Sequence, residues 1–83
     1  MPGFEFFGDE ERKEVNEVLE TGILMRYGFD GPRKGIWKSK ELEAAVSTVF
    51  GCAHAQLTSS GTAALTTAMA ALGVGVGDEV IMP

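Results

Sequence analysis

The chain has 83 residues and a mass of 8.8 kDa, below the roughly 100–150 residues of a usual domain. Forty-five per cent apolar and 23% charged residues argue against intrinsic disorder, and a single cysteine excludes an internal disulfide framework. A formal net charge of −5 is a poor start for a nucleic-acid binder, and no Cys/His cluster has the spacing of a zinc site.

Repeats, low-complexity tracts and targeting signals are absent from the sequence. The opening MPGFEFFGDEERKE lacks a basic region followed by an apolar one. The weakly polar run from Ala63 to Gly77, broken by Thr66 and Thr67, falls short of the roughly 20 apolar residues of a membrane helix. A cytoplasmic chain is expected, with no membrane, nucleic-acid or metal partner.

Asp9 is the expected cap of a first helix, followed by Glu10 and Glu11 where acidic side chains favour a helix start. Val15, Val18 and Leu19 then recur at helical spacing, and Gly22 supplies the stop. From Ile23 to Lys38 no period holds, and Gly28, Gly31, Pro32 and Gly35 make a loop of about sixteen residues. Connections of that length without secondary structure are uncommon in compact domains and often functional. This loop also reverses the charge: residues 1–25 are net −5, residues 26–40 net +4 and residues 41–83 net −4. A basic loop in an acidic chain suits an anionic small molecule or an acidic partner face; equally, its cations can meet carboxylates elsewhere in the chain. Tyr27 and Trp37 lie here and could stack on a substrate ring, although partial burial with a satisfied polar tip is the commoner fate.

A second helix is expected from an N-cap at Ser39 to Gly51, with Glu41 and Glu43 in its first turn. Leu42, Ala45, Val46, Val49 and Phe50 make an apolar stripe that reads as core. Ala53 to Leu57 then reads as a strand, Thr58-Ser59-Ser60-Gly61-Thr62 as a turn, and Ala63 to Leu72 as a buried helix, apolar nearly all round. Gly73, Gly75 and Gly77 with Asp78 make another turn before a strand at Glu79 to Met82. Strand, glycine turn, helix and strand spell a βαβ unit, hence an α/β fold with a parallel sheet. Such a sheet needs cover on both faces, so the chain is expected to be the N-terminal part of a larger protein and poorly folded alone. Cys52 and His54, at the expected strand start among apolar neighbours, read as core rather than catalytic.

Ser60-Gly61-Thr62 at a helix start is a prepared anion site: backbone N–H groups converge there with the positive end of the helix dipole. Gly61 allows close approach, and the Ser60 and Thr62 hydroxyls can donate. A phosphate fits, and so does plain capping. Rival motifs fail: no Gly-Lys-Ser/Thr occurs for a P-loop, no serine is framed as G-x-S-x-G, and Gly73-x-Gly75-x-Gly77 follows a helix instead of a strand.

The run Leu57-Thr58-Ser59-Ser60-Gly61-Thr62-Ala63-Ala64-Leu65, followed after a helix by Ala71 to Pro83 (ALGVGVGDEVIMP), resembles the DegT/DnrJ-type sugar aminotransferases. These are pyridoxal-phosphate enzymes of the aspartate-aminotransferase fold. Gly31-Pro32 and the helix from Ser39 fall in the expected order, so the resemblance covers essentially the whole chain. It implies N-terminal helices and the basic loop over residues 1–52, then over residues 53–83 the start of the cofactor-binding domain with its first βαβ unit. It further implies that Ser60, Gly61 and Thr62 hold the cofactor phosphate, that the protein is a homodimer, and that an amino group moves from glutamate or glutamine to a keto sugar, usually nucleotide-linked. Arg26-Tyr27-Gly28-Phe29-Asp30 and Trp37-Lys38 look most like a branch acting on an acidic octulosonate, which makes Arg26 and Tyr27 candidate substrate contacts. By the same resemblance the Schiff-base lysine lies beyond Pro83, and none of Lys13, Lys34, Lys38 or Lys40 takes its place; no catalytic residue is assigned, and the 83 residues alone should be inactive. Two alternatives stand beside this reading: a sugar dehydratase of the same fold, and a truncated, non-catalytic chain acting only in assembly.

Overall fold

The computed structural model describes residues 3–83 and contains three α-helices joined by long connections, preceded by a short 3₁₀ turn at Phe4–Phe6. Helix α1 spans Asp9–Thr21, α2 Lys38–Phe50 and α3 Gly61–Ala71. No strand forms among the described residues.

Helix α1 starts one residue earlier than Asp9 as a cap would require. Gly8 takes the cap position, and its N–H donates to the Glu11 carboxylate at 2.7 Å, so the third helical residue reaches back to satisfy the backbone ahead of it. That bond holds the Glu11 carboxyl below the usual carboxylate range. At the other end Gly22 adopts φ +69° and returns its N–H to the Val18 carbonyl at 2.9 Å, the left-handed stop that glycine permits without a Cβ penalty.

The start of α2 departs from expectation by two residues. Trp37, not Ser39, is the capping residue, and its side chain makes no cap bond. Lys38 enters the first turn because its ammonium is gripped by Glu14 and Glu17 of α1, with Glu41 a further 3.6 Å partner. Those carboxylates raise the Lys38 ammonium well above its ordinary range and offset the misplacement of a cation at a positive helix end.

Helix α3 begins at Gly61, two residues ahead of the expected Ala63, because Ser60 caps it: the Ser60 Oγ accepts from the Ala63 N–H at 3.0 Å. Its other end opens into the expected glycine turn, where Asp78 accepts from the Gly75 N–H at 2.6 Å.

Burial departs most from the sequence reading. No hydrophobic side chain among the described residues is buried. Of the α2 stripe expected to be core only Val46 is half-buried, the rest lying exposed, with Phe50 77% exposed, and α3, expected to be buried, leaves Leu65 67% exposed. The accessible surface is 7274 Å², where a compact monomer of this mass has about 4,800 Å². The radius of gyration is 16.9 Å, against about 12 Å for a compact chain of this length.

The same lack of cover explains the missing strands. Ala53–Leu57 and Glu79–Met82 are unpaired, and a strand exists only by hydrogen bonding to a neighbour. The α/β expectation of a first βαβ unit is therefore met only in its helix and turns. Cys52 and His54, expected in the core beside the first strand, are exposed.

Candidate functional site

The two buried residues among those described are both charged: Arg33, 3% exposed, and Glu43, 8% exposed. Charged groups are buried only when paired or hydrogen-bonded, and each of these organises the chain around it. Arg33 sits within the basic loop and donates from Nε to the Gly28 carbonyl at 3.1 Å and from Nη2 to the Met25 carbonyl. Its guanidinium carbon lies 4.3 Å from the centroid of the Trp37 ring, and the Lys40 ammonium lies at 4.3 Å from the same ring, both within cation–π range. The Trp37 indole N–H donates to the Arg26 carbonyl at 3.0 Å. Of the two fates open to Trp37, partial burial with a satisfied polar tip is the one observed.

This packing holds backbone that would not adopt its shape unaided. Phe29 and Lys34 have φ of +57° and +54°, a region that costs a non-glycine residue about 1–2 kcal/mol. The expected loop is thus a folded turn around one arginine.

Glu43 projects from α2 toward that turn. Its carboxylate accepts from Arg26 Nη2 at 2.7 and 3.0 Å and from the Leu57 N–H at 2.8 Å. Arg26 and, after it, the Leu57 amide hold the Glu43 carboxyl below its usual range; in return Glu43 raises the Arg26 guanidinium further.

The charge of the basic loop is therefore met in part inside the chain. Arg26 is paired with Glu43, Arg33 with carbonyls, and Lys38 with α1. Lys34 and Lys40 have no carboxylate partner among the described residues. Arg26 retains Nε and Nη1 outside its pair, and Tyr27 is 77% exposed beside it. A crevice of about 110 Å³ opens between the end of α1 and the loop, lined in part by Arg26, Arg33 and Trp37. That is below the roughly 300 Å³ of a small-molecule pocket, so this crevice alone does not enclose a sugar.

Ser60, Gly61 and Thr62 come together at the start of α3. The Ala63 and Ala64 amides are used by the Ser60 Oγ and carbonyl, at 3.0 Å each. The Gly61 and Thr62 amides have no acceptor among the described residues. Thr58 Oγ1 donates to the Ser60 carbonyl at 2.9 Å, which closes the turn, while the Thr62 hydroxyl has no partner there. A Cβ built on Gly61 meets nothing within 4 Å, so the approach to these amides is open. Open N–H donors, nearby hydroxyls and a positive helix end fit a phosphate group such as that of pyridoxal phosphate. The same Ser60 bond is also a cap, so both readings of the turn are compatible with one geometry.

Sequence reasoning missed Arg33 and Glu43. The first-turn position expected of Glu43 assigns it no partner, whereas the inward face of α2 carries Glu43, Val46 and Ser47. No described group of three or more His, Cys, Asp and Glu could hold a metal ion, and no described helix is long and apolar enough to cross a membrane.

Comparison with known proteins extends these observations to the family level. L-glutamine:2-deoxy-scyllo-inosose aminotransferase of Micromonospora echinospora is 43% identical over 70 residues, which is 83% of this chain and 16% of that relative. The chain thus spans a small part of the length of this curated relative. The model of the DegT/DnrJ/EryC1/StrS aminotransferase family matches residues 6–83, and the chain belongs to that family.

Proposed function

We propose that this chain supplies the phosphate turn and the N-terminal helices of a pyridoxal-phosphate-dependent sugar aminotransferase. Residues 1–52 would form the helices and loop beside the substrate, and residues 53–83 the start of the cofactor-binding domain, within a homodimer. The amino donor is glutamine or glutamate, and the acceptor a keto sugar. The observation that carries the reading is the open start of α3, with unused amides at Gly61 and Thr62, within a chain of this family.

Ser60, Gly61 and Thr62 bind the phosphate, fixing the cofactor at one end. Bound pyridoxal phosphate supplies the electron sink for amino transfer. Arg26, through its unpaired Nε and Nη1, and Tyr27 orient substrate oxygens at the loop. Because Arg26 already carries a carboxylate, an acidic octulosonate or the diphosphate of a nucleotide-linked sugar would have to meet Lys34 or Lys40 instead, and an uncharged keto sugar suits Arg26 and Tyr27 better. The name of the Micromonospora relative favours glutamine as donor and transfer over dehydration.

The test is amino transfer by the natural protein that carries this sequence, with glutamine or glutamate and a panel of keto sugars. Amino-sugar formation is expected. Dehydrated sugar without donor consumption would replace transfer by dehydration, and neither product would leave assembly as the function.

A further inference from the structure

We infer that Glu43 is a positioning residue that sets the phosphate turn against the basic loop, because its single carboxylate holds Arg26 on one side and the Leu57 N–H on the other. The inference rests on the reading of Ser60 to Thr62 as the phosphate turn.

Among the described residues, the Leu57 N–H to Glu43 bond is the only hydrogen bond that ties residues 53–83 to residues 3–52, and no ion pair crosses between them. Residues 52–58 have no strand partner to fix their course. The placement of the turn is therefore handed to one side chain. Leu57 lies three residues before Ser60, and the intervening Thr58 hydroxyl closes on the Ser60 carbonyl at 2.9 Å. A shift at Leu57 thus reaches the cap of α3 directly.

On its other side the carboxylate is equally anchored. Arg26 offers Nη2 to both oxygens at 2.7 and 3.0 Å, and the Arg26 carbonyl accepts from the indole N–H of Trp37, the residue at the cap position of α2. Trp37 in turn lies against Arg33. Loop, helix α2 and turn therefore meet at one nearly buried anion, where a charge-assisted bond is stronger than a neutral one. When the tie is lost, the turn samples other positions, and the apparent affinity for a phosphate falls by the fraction of time it is misplaced.

A residue that only stabilised α2 would not discriminate between ligands with and without a phosphate. The experiment therefore measures equilibrium binding of pyridoxal phosphate and of pyridoxal to the natural protein carrying this sequence, as wild type, Glu43→Ala and Glu43→Gln. The wild type is expected to prefer the phosphorylated ligand. Glu43→Ala is expected to cut that preference by about tenfold, equivalent to one decade in Kd, with pyridoxal affinity unchanged. Glu43→Gln keeps the volume and an acceptor for Leu57 but loses the charge that holds Arg26, so it should fall between the two; it gives the reading where Glu43→Ala does not fold. A wild-type preference that persists in both variants, or in Glu43→Gln alone where Glu43→Ala does not fold, overturns the positioning role while leaving the phosphate turn intact. A wild type without preference overturns the phosphate-turn reading itself, and the inference with it.

Discussion

The loop around Arg33 and the helix Gly61–Ala71 are held in opposite ways. The loop is rich in glycine, has no period and contains two residues in left-handed backbone, yet it closes tightly on a buried guanidinium and an indole ring. The helix has an ideal serine cap and an almost wholly apolar surface, yet nothing covers it. Local backbone order and burial are thus separable: hydrogen bonds from one arginine can fold a loop, whereas a well-capped helix still needs an apolar partner to contribute stability. The single bond from Leu57 to Glu43 joins the two regimes.

The largest expected effect concerns the uncovered helix. With no buried hydrophobic residue among those described, the 83 residues produced alone should show no cooperative thermal transition, because apolar burial is the dominant favourable contribution to folding. A sharp unfolding transition of the isolated monomer by calorimetry would contradict this and mean that α3 finds cover within the chain.

Acid should break the tie between the two regions. Arg26 and the Leu57 amide lower the Glu43 carboxyl from its ordinary 4.5, so the ionised form is the one bound. The contribution is fully present above about pH 4.5 and is lost as pH falls through the lowered native value. Hydrogen exchange in the natural protein should show the Leu57 amide protected at neutral pH and progressively unprotected on acidification below that range. A protection factor that does not change with pH would separate Leu57 from Glu43.

A smaller effect is expected at the start of α3. Ser60→Ala removes the acceptor of the Ala63 N–H, a loss of about 1 kcal/mol for an N-cap. Denaturant unfolding of the natural protein would measure it; a change below about 0.3 kcal/mol would show that another group takes over the cap.

Much of the local structure was legible in the sequence. Gly22 and Gly51 ended their helices as expected, and Ser60 stands ahead of α3, because capping is decided by neighbours within four residues. The start of α2 slipped because a distant partner intervened: Lys38 joined the helix where Glu14 and Glu17 on another helix hold its ammonium. The strands at 53–57 and 79–82 have the right residues but no neighbour, and pattern alone does not supply one. Arg33 and Glu43 escaped notice because their partners are carbonyls, an amide and a guanidinium at up to 17 positions away, which no spacing rule encodes.

The central claim, that α3 begins in a phosphate site, is tested most directly by Gly61→Val in the natural protein, with pyridoxal phosphate affinity as the readout. A Cβ at this position meets nothing of the chain within 4 Å, so the fold should tolerate the substitution and only an approaching ligand should feel it. The expected result is a loss of affinity of about tenfold or more, one decade being about 1.4 kcal/mol, with stability little changed. Unchanged affinity would mean that the phosphate does not approach Gly61 and that Ser60-Gly61-Thr62 is a cap and nothing more.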